Sequence, residues 1–423
     1  MKRTMRVVLL GSLAVGALAF SAKAATTPSL TSTTTSTLSS LSSLKTHPMY
    51  LPSIRNQWAG AGSNHTALQP PAPPCPESGL LPAPFSNCGL PEFPAVGQPY
   101  VGNMAYWGGH VQTTPVVYLV YWGWGQSGAF NTCGGSKTFN VNTTGGSQSV
   151  TLACDPDGAG TRMADFVSQI GGTNWEGVTT QYYGTAGAHI TNPGEVLGGI
   201  WVDDANPNPL TPPISANAGY TAMAQEAENA AAYFRVSGSG LDNANFVIVQ
   251  PQKLSDPAAQ SVGYCAFHDY TEPVLENHIY DGITPGISYT NMPYVLDQGT
   301  GCGENLVNSG PAGTLDAFTI ALGHEILETV TDPGAEDILP DGTVMGGWFD
   351  PFDANENGDK CAYVGASLLG GIVGPNEINE PGAADNITGS GGGSFPVQST
   401  WSNSSLGGVG YCAGVNDLPA PLS

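Results

Sequence analysis

The segment Leu315–Val330 reads LDAFTIALGHEILETV and predicts the helix on which the fold depends. Its apolar side chains recur four residues apart and so mark one buried helix face, namely Phe318, Leu322, Ile326 and Val330. Thr314 is the predicted N-cap, because its hydroxyl can accept a hydrogen bond from the first helical turn. Pro333 follows, and a helix is expected to end before such a proline.

The segments that precede this helix predict an α+β fold. Runs of β-branched and aromatic residues predict five strands: Val116–Trp124, Glu195–Val202, Phe246–Gln250, Val262–Phe267 and Tyr294–Asp297. Two more helices are predicted at Thr161–Ile170 and Tyr220–Arg235. Helices interleaved with strands predict one domain over residues 99–423, with a mixed sheet. The whole chain contains 57 glycines and 34 prolines, which predict a fold with many loops.

The first 98 residues have a different composition from the rest. Residues 1–24 combine a basic start, an apolar run and the cleavage pattern Ala22-Lys23-Ala24, which together predict a secretory signal peptide. Residues 25–98 are rich in Ser and Thr and then in Pro, and they predict a linker or a removable propeptide. We therefore expect an exported protein, extracellular or periplasmic, that is not anchored in a membrane.

The charge balance excludes two classes of partner. The chain has 11 Lys and Arg against 34 Asp and Glu, a formal net charge of -23. Nucleic acids and anionic membrane surfaces bind basic stripes, so neither is an expected partner. The scarcity of basic residues suggests work at acidic pH, where carboxyl groups repel one another less. We expect the protein to be a monomer.

All eight cysteines follow the predicted cleavage point, and an even number in an exported chain favours four disulfides. Eight cysteines permit about 105 pairings, so the spacing alone does not determine the connectivity. We predict pairing between neighbours: Cys75–Cys88, Cys133–Cys154, Cys265–Cys302 and Cys361–Cys412.

The predicted helix also carries a chemical motif, His324-Glu325-x-x-Glu328. His324 and Glu328 are four residues apart and project from one helix face about 6 Å apart. The arrangement is that of H-E-x-x-H with a second carboxylate in place of the second His. There, two ligands hold Zn²⁺ and the intervening Glu takes a proton from metal-bound water. The alternative is an exposed acidic helix face without a site.

A zinc ion needs at least one more protein ligand. Glu356 and Asp359 lie in a downstream acidic segment, and His268 follows Cys265, so these three are alternative third ligands. Asp332 is about 12 Å from His324 along a continuous helix, too far to share one ion unless the chain turns back there.

Three segments resemble a known family. HEILETVTDP, the later Gly347–Asp350 and Asn355–Ala362 are similar to exported bacterial zincin-like proteins with an HExxE motif, and more distantly to the exordium (phosphate-induced) secreted family. The resemblance implies a zincin-like mixed sheet with a backing helix and an active-site helix, places that Tyr220–Arg235 and Leu315–Val330 could fill. It also implies metal ligation by His324 and Glu328, with Glu325 as the catalytic base.

A calcium site is a further candidate. Asp353, Asn355 and Asn357 followed by Gly358 match the first half of a calcium-binding loop, whereas the twelfth position is Val364 instead of Glu. A truncated calcium loop and a simple Asn/Gly turn both remain open.

Three functions follow from these patterns. The first is a secreted metal-dependent endopeptidase that uses metal-activated water on protein or peptide substrates. The second is a metal-independent acid hydrolase, in which Glu325 and Glu328 share the acid and base roles. The third is a non-enzymatic, exordium-like extracellular protein with structural calcium.

Overall fold

A computed structural model provides the structure of the chain. It describes residues 103–206, 208, 216–257, 259–260, 264–271, 286–334, 346–350, 356–361, 384–404 and 410–413, with side chains except at 186, 216–221, 300, 411 and 413. The predicted signal peptide, the segment 25–98 and the Cys75–Cys88 pair lie outside these residues. Within them, no helix is long and apolar enough to cross a membrane.

The described elements form a mixed α and β structure. Its strands are β1 (Ala105–Tyr106), β2 (Val116–Trp122), β3 (Lys137–Thr143), β4 (Gly146–Leu152), β5 (Leu197–Asp203), β6 (Ala244–Val249), β7 (Phe267–Tyr270), β8 (Ser288–Met292), β9 (Trp348–Phe349), β10 (Ala384–Thr388), β11 (Ser394–Gln398), β12 (Thr400–Ser402) and β13 (Tyr411–Ala413). Its α-helices are α1 (Ala159–Ile170), α2 (Asn174–Gly177), α3 (Ala216–Phe234), α4 (Gly310–Thr314) and α5 (Asp316–Thr331). Short 3-10 helices include Val178–Gln181, Val295–Cys302 and Asp359–Cys361.

A five-stranded mixed sheet is the centre of the fold, with the strand order β5-β2-β6-β8-β7. The first four strands are parallel, and β7 pairs antiparallel with β8 at one edge. The strand β2 reads VVYLVYW and is apolar throughout, as expected for a strand that has a packed layer on both faces. The predicted mixed sheet is therefore confirmed.

The two faces of the sheet carry different helices. Val117, Leu119 and Tyr121 of β2 pack with α1 and α5 in one core, whereas Val120 and Trp122 pack with α3 in another. The helix α1 contacts α5 directly. The suggestion that Tyr220–Arg235 backs the active-site helix is therefore wrong, because that segment lies across the sheet from α5. The neighbour of α5 is α1.

Three local predictions are also wrong. In place of the strand predicted at 294–297, a 3-10 helix begins at Val295, because Pro293 has no N–H to continue the ladder of β8. Of the strand predicted at 262–267, residues 262 and 263 lie outside the described residues, and β7 begins at Phe267, since the N–H of Tyr264 donates to the carbonyl of Ala259. Thr314 is not the N-cap of α5; it ends α4, and its hydroxyl donates to the Gly310 carbonyl.

Disulfides and small hairpins complete the described part of the chain. Three predicted pairs are confirmed: Cys133–Cys154, Cys265–Cys302 and Cys361–Cys412. They indicate an oxidising environment. The hairpins β3–β4, β10–β11 and β12–β13 lie outside the large sheet, as does the short β1–β9 pair.

Candidate metal centre

Helix α5 carries three ionisable side chains in a fully buried setting. All of its residues are buried, because the helix is apolar on most sides and packs between the sheet and the β11 strand. His324, Glu325 and Glu328 have no exposed surface. The exposed acidic helix face, considered as the alternative from the sequence, is therefore wrong. Buried charges of this kind are costly unless other groups or ions compensate them.

The edge strand β7 places a second histidine against this helix. Nδ1 of His268 lies 3.2 Å from Oε2 of Glu325 and 3.7 Å from Oε2 of Glu328. Its other nitrogen, Nε2, lies 3.0 Å from the carbonyl oxygen of Asp332 and 3.4 Å from Oε1 of Glu356. Both nitrogens of this imidazole therefore face oxygen atoms.

The segment 356–361 closes over the helix from the other side. The N–H of Asp359 donates to Oε1 of Glu328 at 2.8 Å, and Oδ1 of Asp359 lies 3.8 Å from Nε2 of His324. A Cβ atom at Gly358 would lie 2.8 Å from Oε1 of Glu328 and 2.9 Å from Nδ1 of His324. Glycine at this position is therefore what lets the segment approach both side chains.

Strand β11 ends in Gln398, which fixes the orientation of His324. Nε2 of Gln398 donates to the Gly358 carbonyl at 2.7 Å, and this identifies its other amide atom as oxygen. That oxygen, Oε1, lies 3.1 Å from Nδ1 of His324 and can only accept a hydrogen bond. We therefore assign a proton to Nδ1, so that Nε2 carries a lone pair whenever the ring is neutral.

The lone pair of His324 faces a carboxylate. Nε2 lies 3.1 Å from Oε2 of Glu328, and neither atom has a hydrogen-bond partner in the described parts of the chain. For the neutral imidazole, the lone pair and the carboxylate oxygen repel each other at this distance unless a proton or a metal ion lies between them. Two ligands of a tetrahedral zinc ion are about 3.3 Å apart, since each lies about 2.0 Å from the metal. The residues present therefore fit a bound metal ion.

The pKa values reflect the same buried environment. Burial raises the pKa of Glu325 above its ordinary value, although His268 and His324 partly oppose this. Burial also raises the pKa of Glu356 to well above its ordinary value. For His324, burial lowers the pKa, but Glu328 more than compensates and brings it to about 9. Without a metal ion, the site would therefore hold protons in its place.

The neighbouring acidic residues have other contacts. Asp332 ends α5, and its Oδ1 accepts a hydrogen bond from the Gly347 N–H. Its carbonyl oxygen lies beside Nε2 of His268. The contribution of Asp332 near the site is therefore this backbone oxygen and not a carboxylate beside His324. Asp350 forms an ion pair with Lys360, whose ammonium group also lies over the Trp401 ring.

The structure brings most of the predicted site residues together. Six of them meet at one place: His268, His324, Glu325, Glu328, Glu356 and Asp359. Of the predicted calcium loop, Asp353 and Asn355 lie outside the described residues, and Nδ2 of Asn357 donates to the Leu327 carbonyl. Sequence reasoning missed Gln398, because a glutamine at the end of a strand belongs to no motif.

Comparison of the chain with protein families, with curated proteins and with solved structures finds no match.

Proposed function

We propose that the chain is a metal-dependent hydrolase that cleaves peptide bonds, with His324 and Glu328 as metal ligands and Glu325 as the general base. One observation carries this proposal. Nε2 of His324 and Oε2 of Glu328 lie 3.1 Å apart, and neither has a hydrogen-bond partner among the described groups. The intervening Glu325 is the residue that abstracts a proton in motifs of this kind.

The donor set favours a borderline metal such as Zn²⁺. It combines imidazole nitrogen with carboxylate oxygens, which zinc accepts as readily as manganese does. Asp359 is the best third ligand on the His324 side, because its Oδ1 lies 3.8 Å from Nε2. When bound, the ion would act as a Lewis acid on the scissile carbonyl and on water.

Glu325 has the environment of a general base. Its Oε2 lies 3.2 Å from Nδ1 of His268, whereas its Oε1 has no hydrogen-bond partner among the described side chains. A carboxylate with one free oxygen can take a proton from water and pass it to the leaving amine.

The architecture is compatible with a zincin-like fold. A mixed sheet lies under the helix with the motif, and α1, which packs beside that helix, would be the backing helix of such a fold. We propose this fold for the chain, together with export and hydrolysis of protein or peptide substrates. Work at acidic pH remains part of the proposal.

One observation favours a second candidate, a structural metal site in a non-enzymatic protein. His324, Glu325 and Glu328 are fully buried, and structural metal sites are closed whereas catalytic sites keep an open position. On this alternative the metal would stabilise the fold, and no substrate would reach Glu325.

The deciding experiment compares Glu325→Gln with the intact chain. Both proteins are loaded with Zn²⁺, and the release of peptides from a denatured, fluorescently labelled protein is measured between pH 4 and pH 8. We expect the variant to keep its zinc and to lose hydrolysis by about 10²-fold or more. Glu226→Gln is the matched control, because Glu226 is a buried glutamate on α3, across the sheet.

The other outcomes separate the candidate functions. Absence of hydrolysis in the intact chain, with a large fall in Tm on metal removal, would support the structural site. Full hydrolysis after exhaustive chelation would contradict the metal mechanism and favour the acid hydrolase.

A further inference from the structure

The buried centre contains more carboxyl groups than one divalent cation can balance when all of them are ionised. Five carboxyl groups lie in or beside it, all of them buried: Glu325, Glu328, Asp332, Glu356 and Asp359. Lys360 lies nearby, but it is engaged with Asp350. Buried carboxylates without compensation are strongly destabilising, so further cations or protons are needed.

The residues fall into two ligand sets of three. One contains the proposed ligands His324 and Glu328 with the proposed base Glu325 beside them, and the other contains His268, Glu328 and Glu356. In each set the ligand atoms lie within 4.8 Å of one another. Glu328 belongs to both, and its Oε2 lies 3.1 Å from Nε2 of His324 and 3.7 Å from Nδ1 of His268.

Glu356 is an independent indication of a ligand in the second set. Its side chain is fully buried, and neither carboxylate oxygen accepts a hydrogen bond from any residue that the structure describes. The nearest group is Nε2 of His268, 3.4 Å from Oε1. The Glu356 side chain thus points toward an imidazole nitrogen without a hydrogen bond between them.

His268 leads to the same conclusion. Nδ1 faces Glu325 and Glu328, and Nε2 faces Glu356 and the Asp332 carbonyl. A neutral imidazole carries one proton, so one of its nitrogens directs a lone pair at oxygen atoms. A second proton on the ring or a second cation beside it would remove this repulsion.

We propose that the centre binds two divalent cations, with His268 and Glu356 as ligands of the second and Glu328 as a carboxylate bridge. This inference rests on the metal site of the proposed function. A bridging carboxylate fits ions about 3.5–4 Å apart, the separation found in two-metal hydrolytic sites. One imidazole with several oxygens suits Mn²⁺ as well as Zn²⁺.

The test is the number of metal ions bound by the intact, oxidised chain. The protein is stripped by chelation, reloaded with Zn²⁺ or with Mn²⁺, dialysed and analysed for metal and protein content. We expect about two ions per chain. Glu356→Gln should bind about one, and the control Glu226→Gln should bind as many as the intact chain.

A measurement on the intact chain keeps the proposal testable if Glu356→Gln fails to fold. Two Mn²⁺ ions bridged by one carboxylate couple magnetically, so the electron paramagnetic resonance spectrum at saturation should differ from that of isolated Mn²⁺. An isolated-ion spectrum, with one ion bound both in the intact chain and in Glu356→Gln, would overturn the second site and leave the proposed function standing. No bound ion in the intact chain would overturn both proposals.

Discussion

At the scale of single residues, Gln398 shows how His324, the proposed metal ligand, is held in place by a side chain outside the proposed ligand set. Its amide group bridges Nδ1 of His324 and the carbonyl of Gly358. It therefore orients the imidazole and anchors the segment that contains Asp359. Groups of this kind typically change metal affinity 10–100-fold when they are replaced.

We expect Gln398→Leu to lower zinc affinity by about 10–100-fold while the fold is retained. The leucine keeps the volume of the side chain but removes the acceptor for Nδ1–H, so the His324 ring can turn. Competition with a chromogenic chelator measures the affinity, and near-ultraviolet circular dichroism checks the fold.

Gln148→Leu is the matched control, because Gln148 also bridges backbone groups but does so at Ile200 in β5. Equal zinc affinity in the Gln398 and Gln148 variants would contradict the positioning role of Gln398.

The chemistry-bearing residues of α5 could be predicted from the sequence, but their partners could not. His324, Glu325 and Glu328 form a short-range pattern whose meaning depends only on helix geometry. Gln398 reaches them through strand pairing and chain topology, which leave no local signal. His268 was only one of three alternatives, because nothing in the sequence placed an edge strand beside the helix.

At the scale of secondary-structure elements, apolar runs were predictable and polar buried strands were not. The strands β2, β5 and β6 contain continuous apolar runs, and the sequence analysis predicted a strand at each. The strand β8 reads SYTNM, yet every residue in it is buried. The side chain of Thr290 in β8 forms hydrogen bonds with that of Asn245 in β6, so the burial of both polar groups depends on the pairing of the two strands.

The segment 356–361 has its own covalent anchor. Cys361 ends its 3-10 helix and is bonded to Cys412 in β13, which closes a loop of 51 residues. In chain-entropy terms, such a bridge stabilises the folded state by about 4 kcal/mol. Because the segment supplies Glu356, Gly358 and Asp359, the bridge also holds part of the metal centre.

We expect the double variant Cys361→Ser/Cys412→Ser to weaken zinc binding and to lower Tm. Loss of the bridge frees the segment that contains Asp359 and Glu356, so part of the ligand set is no longer held against α5.

The control is Cys133→Ser/Cys154→Ser. That pair closes a loop of 21 residues beside the β3–β4 hairpin and should cost about 3 kcal/mol of stability without a change in metal affinity. A similar loss of affinity in both double variants would indicate a general effect of unfolding.

At the scale of the whole molecule, the excess of acidic residues extends into the interior. Outside the metal centre, burial raises the pKa of Glu176 to about 8, and the nearby Glu195 adds to the effect. It raises the pKa of Glu226 to about 8 as well, and that of Asp297 to about 6. These groups take up protons on folding, because burial disfavours their charged form.

The stability of the chain should therefore fall as the pH rises. Between about pH 4.5 and pH 8 the folded state keeps the Glu176 proton and the unfolded state has lost it, so each rise in pH favours unfolding. A pKa unit corresponds to about 1.4 kcal/mol, and the whole Glu176 shift to roughly 5 kcal/mol at most.

We expect Glu176→Gln to flatten this dependence, because a glutamine has no proton to lose. Chemical denaturation at several pH values with chelator present in all samples gives the free energy of unfolding. If the free energy of unfolding depended on pH equally in the variant and in the intact chain, the prediction that Glu176 causes this dependence would be contradicted.

The three disulfides follow one another along the chain without overlapping: 133–154, 265–302 and 361–412. The six cysteines in the described part of the chain permit 15 connectivities. In the one observed, each cysteine pairs with the next cysteine in the sequence. A chain that enters an oxidising compartment from its amino terminus can thus close each bond before the next pair emerges. Cys412 follows every residue of the metal centre in sequence, so the bond that anchors 356–361 forms last. If the chain is exported as proposed, the proposed metal ion would therefore bind late in maturation, after the whole ligand set has been translocated.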